Sequence, residues 1–282
     1  MSGPVCIAGN LYRLTAPNPG FMTGAGTNTY LLSCNGRFVV IDPGPAIPAH
    51  IDAILAFVGN PRAIEKIFVT HMHPDHSPAA LPLANASGAA VYGGNPLLDE
   101  YQDLDCQPGH ILHHDEVVSF GSATIRCIHT PGHVDNHFCF LYEEEGILMT
   151  GDHIMQGSTV VIIPPHGKMG DYLRSLERLG NYAISRLAPG HGEIIADPAA
   201  EIRRLVSHRL NREAKVERIL AGLGSATPSE LLPLVYDDVS PQLHALASYS
   251  LLAHLIRLQE EGRAGLLGDR WQSKIFHAGL AE

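Results

Sequence analysis

Residues 71 to 76 read His-Met-His-Pro-Asp-His, three imidazoles and one carboxylate in six positions, with Pro74 inside the cluster and Pro78 just after it. With 17 His and 14 Asp in 282 residues, chance gives HxHxDH in roughly three chains per thousand. A polar loop or a generic His-rich tract is the bland alternative. An extended backbone carries residues two apart on one side, so His71 and His73 can converge on one cation from the end of a strand, while Asp75 and His76 point elsewhere. Pro74 fixes φ between the two pairs, and Ser77-Pro78 can cap and open the next helix. The prolines thereby reduce the cost of ordering ligands before a metal arrives.

One loop seldom completes a metal site, so other strand ends should contribute imidazole and carboxylate. His133 stands in TPGHVDNH, Asp152 in MTGDHI after the run Ile147 to Thr150, and His191 in APGHGE after another apolar run. Each alone is an ordinary glycine turn. Their joint presence, each after a strand, predicts a site built from several loops.

The elements that must position these residues follow from periodicity and turn chemistry. TNTYLLSCNGRFVVIDPGP (27 to 45) predicts a hairpin turning at Asn35-Gly36, the pair that best tolerates positive φ. HIDAILAFVG (50 to 59) has helical spacing, and AIEKIFVT (63 to 70) is a strand running directly into His71. AAVYGG, HDEVVSFGSATIRCIHT, NHFCFLYEEEGILMTGD and STVVII (158 to 163) read as further strands, MGDYLRSLERLGN as a helix, and RLAPGHGEII as a strand entering a loop. Strand groups interspersed with helices imply an α/β sandwich, its sheets covered by helices.

From Asp197-Pro198 the pattern turns helical. GLGSATPSE (222 to 230) supplies a linker and a Thr227-x-x-Glu230 capping box for a second helix, which Pro233 should kink or restart. Ser240-Pro241 opens a third helix to about Glu261, stopped by Gly262, and Gly268-Asp269 can turn a small hairpin. Leu243, Leu246, Leu251, Leu255 and Leu258 give that third helix a wide apolar face, read as core, or otherwise as a lid or a homodimer surface. Arg203, Arg204, Arg209, Arg212, Lys215 and Arg218 read as a solvated helix face, with an anionic substrate as the alternative.

At 45% hydrophobic over 282 residues, the chain can bury one large core or a large and a small one, and it is not of the disordered class. No apolar stretch approaches ~18 residues and no secretory pattern opens the chain, so the expectation is a cytoplasmic protein without a membrane partner. Cys6, Cys34, Cys106, Cys127 and Cys139 are scattered, without CxxC, and read as small core hydrophobes rather than disulfides or zinc thiolates. The net charge of −10 is uneven: residues 1 to 198 hold 9 Lys+Arg against 19 Asp+Glu, while 199 to 282 hold 10 of each. A polyanion would meet no global positive field.

In this set of motifs the chain resembles the metallo-β-lactamase-fold hydrolases, matching five motifs in order: Asp42 in IDPG, HMHPDH at 71 to 76, His133, Asp152 and His191. The resemblance covers about residues 10 to 198. It implies an αββα sandwich with two metals at the sheet edges: His71, His73 and His133 on the first, Asp75, His76 and His191 on the second, and Asp152 bridging. Asp42 would orient the ligand loop, its plain alternative being a turn-forming Asp before Pro-Gly. The continuation after residue 183 resembles the branch that contains β-lactamase-like protein 2, implying a catalytic domain over residues 1–222 and a small, mostly helical, winged-helix-like domain over 223–282.

A nitrogen and oxygen donor set without thiolate suits zinc and would accept iron or manganese. Two cations sharing Asp152 would share a water, bring its pKa from about 15.7 toward 7, and make hydroxide the nucleophile. Asp75, or one of His137, His153 and His166, would return a proton to the leaving group. The GCGR-like segment of glutathione-thioesterases and sulfur dioxygenases is absent after Asp152. The expectation is a dinuclear metal-dependent hydrolase of a small ester, thioester or lactone. Single-stranded RNA cleavage, a non-catalytic metal-binding protein and an iron-dependent oxygenase stand as alternatives. Between Pro241 and Glu261 Arg257 is the sole Lys or Arg, which is poor for phosphate contacts.

Overall fold

A computed structural model of the chain describes residues 3–274. Its described residues form two compact units, the first comprising 3–131, 136–160 and 179–199, the second 132–135, 161–178 and 200–274.

The first unit is built on two sheets. Strands β1 (Val5–Ala8), β2 (Leu11–Thr15), β3 (Asn28–Cys34), β4 (Arg37–Ile41), β5 (Ile64–Phe68), β6 (Ala90–Gly93) and β7 (His110–Ile111) lie in sequence order. β1 to β4 are antiparallel and β4 to β7 parallel. The change of direction needs crossovers, which α1 (Pro48–Val58) supplies between β4 and β5 and α2 (Ala80–Ser87) between β5 and β6. The second sheet takes β8 (Glu116–Phe120), β9 (Ala123–His129), β10 (Phe138–Tyr142), β11 (Ile147–Gly151) and β12 (Arg186–Pro189), in the order β12-β11-β10-β9-β8. The predicted hairpin is present: Asn35 and Gly36 both adopt positive φ, 50° and 75°.

Alternation along the strands sorts the side chains into two layers. Tyr30, Leu32, Val39, Ile41 and Phe68 join Phe120, Ile125, Phe138, Phe140 and Met149 in one cluster between the sheets. The intervening Leu31, Val40 and Ile67 pack with Ile54 and Val58 of α1 and Leu83 of α2. A sandwich with helices on an outer sheet face is therefore what the pattern forecast.

Two expectations fail. STVVII is not a strand, since 155–168 contains neither helix nor strand. Its backbone groups are used locally: Val161 O takes the His133 ring and Gly167 N bonds Ile163 O at 2.7 Å. Of the cysteines only Cys106, Cys127 and Cys139 are buried. Cys6 lies on β1, whose residues are exposed or half-buried, and Cys34 is half-buried at the hairpin end.

His50 on α1 is fully buried, with Nε2 2.8 Å from Thr29 Oγ1, and burial depresses its pKa from 6.5 to about 4. The folded chain keeps the ring neutral while the unfolded chain protonates it near 6.5. The resulting stability is complete above that pH and is lost as pH falls toward 4, on the order of 3 kcal/mol. Urea midpoints should drop between pH 7.5 and 4.5, and His50→Gln should flatten the profile; parallel profiles would refute the assignment.

The second unit contains α3 (Met169–Leu179), α4 (Pro198–Leu223), α5 (Pro228–Val235), α6 (His244–Glu260) and a three-stranded sheet β13-β15-β14 (Ser225–Ala226, Arg270–Ser273, Ala264–Leu267). Thr227 and Glu230 form the predicted capping box, and α5 runs through Pro233 without restarting. Pro241 begins a 3-10 turn to Leu243, from which α6 continues. Leu251, Leu255 and Leu258 are core with Val216, Leu220, Leu231 and Trp271, whereas Leu243 and Leu246 are half-buried. The α4 charges are not all solvated. Arg209 is buried, its guanidinium 5.2 Å from the Tyr172 ring centre, and buried Glu213 faces His254, Arg257 and Arg263. That network keeps Glu213 ionised: burial would raise its pKa, but His254 and Arg257 bring it down to about 2. Arg257 is thus engaged by Glu213 and Glu261.

Candidate metal centre

Asp42 leaves the end of β4 in a left-handed conformation, φ 48°. Its Oδ1 accepts the Thr70 amide at 2.7 Å, and Oδ2 accepts the Thr70 hydroxyl at 2.7 Å. The hydroxyl has one proton and gives it to that carboxylate, so at 3.0 Å from His71 Nδ1 it can only accept. His71 therefore carries its proton on Nδ1 and presents the Nε2 lone pair, 2.9 Å from His73 Nδ1. Strand β5 delivers both rings, as the spacing predicts.

Two more imidazoles are held in the same orientation, Nδ1 on an acceptor. His76 Nδ1 lies 2.9 Å from Asp42 Oδ2, and His191 Nδ1 lies 3.3 Å from Gly26 O. Both partners are pure acceptors, so the proton sits on Nδ1 and Nε2 faces inward. His76 Nε2 is 3.3 Å from Asp75 Oδ2 and 3.3 Å from Asp152 Oδ1; His191 Nε2 is 3.2 and 3.3 Å from the same two oxygens. His76 Nε2 is buried without a hydrogen bond.

These separations have a simple meaning. Donors bound about 2.0–2.1 Å from one tetrahedral cation lie about 3.3 Å apart. Asp75, His76 and His191 form one group with ligating atoms within 4.8 Å of one another, and His71, His76 and Asp152 form another. A buried imidazole nitrogen facing two carboxylate oxygens, within an all nitrogen and oxygen set, fits a divalent cation that would take the place of the ring's second proton.

The electrostatics agree. Burial would raise the Asp152 and Asp75 carboxyls, yet the facing imidazoles hold both well below the usual range. His191 is lowered by burial but carried up to about 9 by Asp152 and Asp75. His71, buried beside His76 and His73, is pushed well below its ordinary value. The site is a charge-balanced cluster in which a cation can replace protons.

His133 belongs to the second unit, in Gly132–Asp135. Its Nδ1 lies 2.8 Å from the Val161 carbonyl, which likewise assigns the proton to Nδ1. His166 in the same unit is 3.3 Å from Asp135. In the first unit His137 and His153 are fully buried, their rings 5.9 Å apart.

Three supporting residues escaped the sequence reading. Thr27 Oγ1 donates to Asp75 Oδ2 at 3.1 Å. Asn28 holds the His191 turn through Pro189 O at 3.0 Å and Gly192 O at 2.9 Å. Thr70 had a readable signal, a hydroxyl directly before His71; Thr27 and Asn28 had none, since their partners are remote in sequence.

Comparison with known proteins accords with this geometry. The profile of the metallo-beta-lactamase superfamily matches residues 22–191, and that of the beta-lactamase associated winged helix domain matches 227–271. The atrochrysone carboxyl ACP thioesterase of Aspergillus chevalieri is 34% identical over 83% of this chain and 75% of its own length. The beta-lactamase-like protein 2 homolog of Drosophila melanogaster is 28% identical over 91% and 90%. A beta-lactamase domain protein from Burkholderia ambifaria shares the fold at a TM-score of 0.81 and 21% identity, over 96% of this chain and 93% of that one. Among the described residues no helix is long and apolar enough to cross a membrane.

Proposed function

This chain belongs to the metallo-β-lactamase superfamily and is a metal-dependent hydrolase; from that premise we propose that it holds two divalent ions, zinc first, and cleaves a small thioester, ester or lactone. The observation that carries the reading is the pair of imidazoles, His76 and His191, fixed by Asp42 and Gly26 O so that both Nε2 atoms face Asp75 and Asp152. In this assignment His71, His73 and His133 hold one ion, Asp75, His76 and His191 the other, and Asp152 serves both. Bound divalent ions supply Lewis acidity and make water nucleophilic near neutral pH.

The chain's own residues do the rest. Asp42 and Thr70 keep the ring protons on Nδ1, so that the rings ligate without tautomer exchange. Asp75 is the most open carboxylate of the cluster, its side chain 28% exposed against 13% for Asp152 and 3% for Asp42. It is therefore the carboxylate that a leaving thiol or alcohol would meet, and because its imidazole neighbours keep it ionised, it can relay a proton only after taking one up during turnover. Thr27, donating to Asp75 Oδ2, keeps that carboxylate oriented. The thioester preference rests on the relative named as a thioesterase. Residues 1–222 would form the catalytic domain with its closing helix, and 223–282 the winged-helix-like domain, as the profile match at 227–271 supports.

Metal analysis of protein purified without added metal should find about two divalent ions per chain, and a panel of aryl and alkyl thioesters, esters and lactones should reveal turnover abolished by chelation. Turnover of single-stranded RNA alone, or none with both ions retained, would overturn the proposal.

A further inference from the structure

The paired strands β2 and β3 break their own apolar pattern at one end. In their antiparallel register Leu11 stands opposite Leu32, Arg13 opposite Tyr30 and Thr15 opposite Asn28, and opposite residues of such a pair lie on one face of the sheet. Leu11, Tyr30 and Leu32 belong to the cluster between the two sheets, so alternation places Arg13, Thr15 and Asn28 on that same inward face. Arginine and asparagine in such a position need partners, because unpaired polar groups are costly to bury.

Those partners converge on one short turn. The main chain of β3 begins the contact: Asn28 N bonds Gly190 O at 2.8 Å, and Thr27 forms an antiparallel bridge with His191. Asn28 Nδ2 then gives its two protons to Pro189 O at 3.0 Å and Gly192 O at 2.9 Å, while Thr15 Oγ1 donates to Asn28 Oδ1 at 2.8 Å and fixes the amide's orientation. Tyr30 Oη donates to Pro189 O at 2.8 Å, and Arg13 Nη1 to Gly192 O at 3.2 Å. The carbonyls on either side of His191 thus each accept two side-chain donors, and Asn28 serves both. Burial pushes the Tyr30 phenol up, which keeps it a donor. Glu193, its side chain 74% exposed, pins the Arg13 guanidinium from outside at 2.9 Å. The turn needs such support. His191 lies between Gly190 and Gly192, the latter at φ 85°, and glycine permits a tight turn without supplying a side chain to hold it. The ring's own bond, Nδ1 to Gly26 O, is a long 3.3 Å.

We propose that Arg13, Asn28 and Tyr30 act together as positioning residues: they hold the His191 turn in its ligating geometry and so set the affinity of one ion, the one assigned to Asp75, His76 and His191. The inference rests on the ligand assignment proposed above. No bond in this set reaches His71, His73 or His133, so the other ion should be spared. Loss of the outer support of a metal ligand typically costs 10–100-fold in affinity.

The test titrates the metal-free full chain with cobalt(II), a coloured ion that nitrogen and oxygen sites accept, and reads uptake by visible absorption and calorimetry with no substrate present. The native protein should show two binding events. R13M/Y30F, which removes one donor from each carbonyl, should weaken one event at least tenfold and leave the other within threefold. R13K, which keeps a donor for Gly192 O, should stay within twofold of native at both, whereas R13M should weaken one event at least fourfold. Should the double variant fail to fold by circular dichroism, the contrast between R13M and R13K decides. Equal weakening of both events, or no weakening of either, overturns the inference, because a purely structural role would not single out one ion. If the native protein takes up a single ion, the two-ion reading falls and the inference is decided on that ion: tenfold weakening in R13M/Y30F with native affinity in R13K supports it, and unchanged affinity overturns it. No uptake at all overturns both.

Discussion

Asp152→Asn is expected to lower kcat/KM by at least about 1,000-fold, some 4 kcal/mol of transition-state stabilisation, and to reduce the proposed two bound ions to one or none. Asp152 follows β11 and turns Oδ1 to within 3.3 Å of both His76 Nε2 and His191 Nε2. It also groups with His71. Among the described residues no other carboxylate of the first unit groups with His71 and also faces the His76–His191 pair. Asparagine preserves the shape but removes the charge, and buried charges interact far more strongly than solvated ones. The loss is electrostatic rather than architectural, so circular dichroism should be unchanged. Mass spectrometry of the native protein, with steady-state kinetics on a thioester, reads both effects. A variant that keeps two ions and more than a tenth of the activity would remove Asp152 from its shared position.

How far the sequence discloses such a centre depends on whether a residue's role is local. His71 and His73 are legible because an apolar strand running straight into alternating imidazoles fixes both direction and side. Asp152 and His191 are legible as donors at strand ends, though only in company. What decides the protonation of these rings is not legible in the same way. Asp42 reaches Thr70 and His76, 28 and 34 residues on, and Asn28 reaches Pro189 across 161 residues. For Asp42 only the family resemblance points to a role in orienting the ligand loop, its local sequence reading equally as a turn; for Asn28, a polar strand residue, nothing marks such a partner. STVVII failed because context overrode its strand propensity: Val161 O is taken by the His133 ring and Ile163 O closes a turn with Gly167 N. The α4 charges misled for the converse reason. Periodicity identifies the face that carries Arg209 and Glu213, but only packing against Tyr172, His254, Arg257 and Arg263 reveals that this face is covered.

A single added methyl group should be almost as damaging as loss of the shared carboxylate. In Gly190→Ala the new Cβ would stand 2.7 Å from His76 Cε1 and 3.1 Å from Asp152 Oδ1, the first closer than carbon atoms tolerate. The ring cannot withdraw freely, because its Nδ1 is held 2.9 Å from Asp42, itself fixed by two bonds to Thr70. Nor can the backbone retreat freely: Gly190 N bonds Gly151 O at 2.9 Å, and Asn28 N bonds Gly190 O at 2.8 Å. The strain therefore falls on the His76–Asp152 contact. Disturbing the support of a metal ligand typically costs 10–100-fold in affinity. Here the ring of a proposed ligand is displaced outright, so metal affinity should fall at least about 100-fold, with kcat/KM falling at least as far. Overpacking should also reduce apo-protein stability by about 1–3 kcal/mol. Gly222→Ala is the control, since no atom lies within 4 Å of the Cβ it would add and the site is helical. Competition against a chelator measures the affinities. Native metal affinity in Gly190→Ala would mean that His76 does not need its observed position to bind a cation, and the ligand assignment would have to be redrawn.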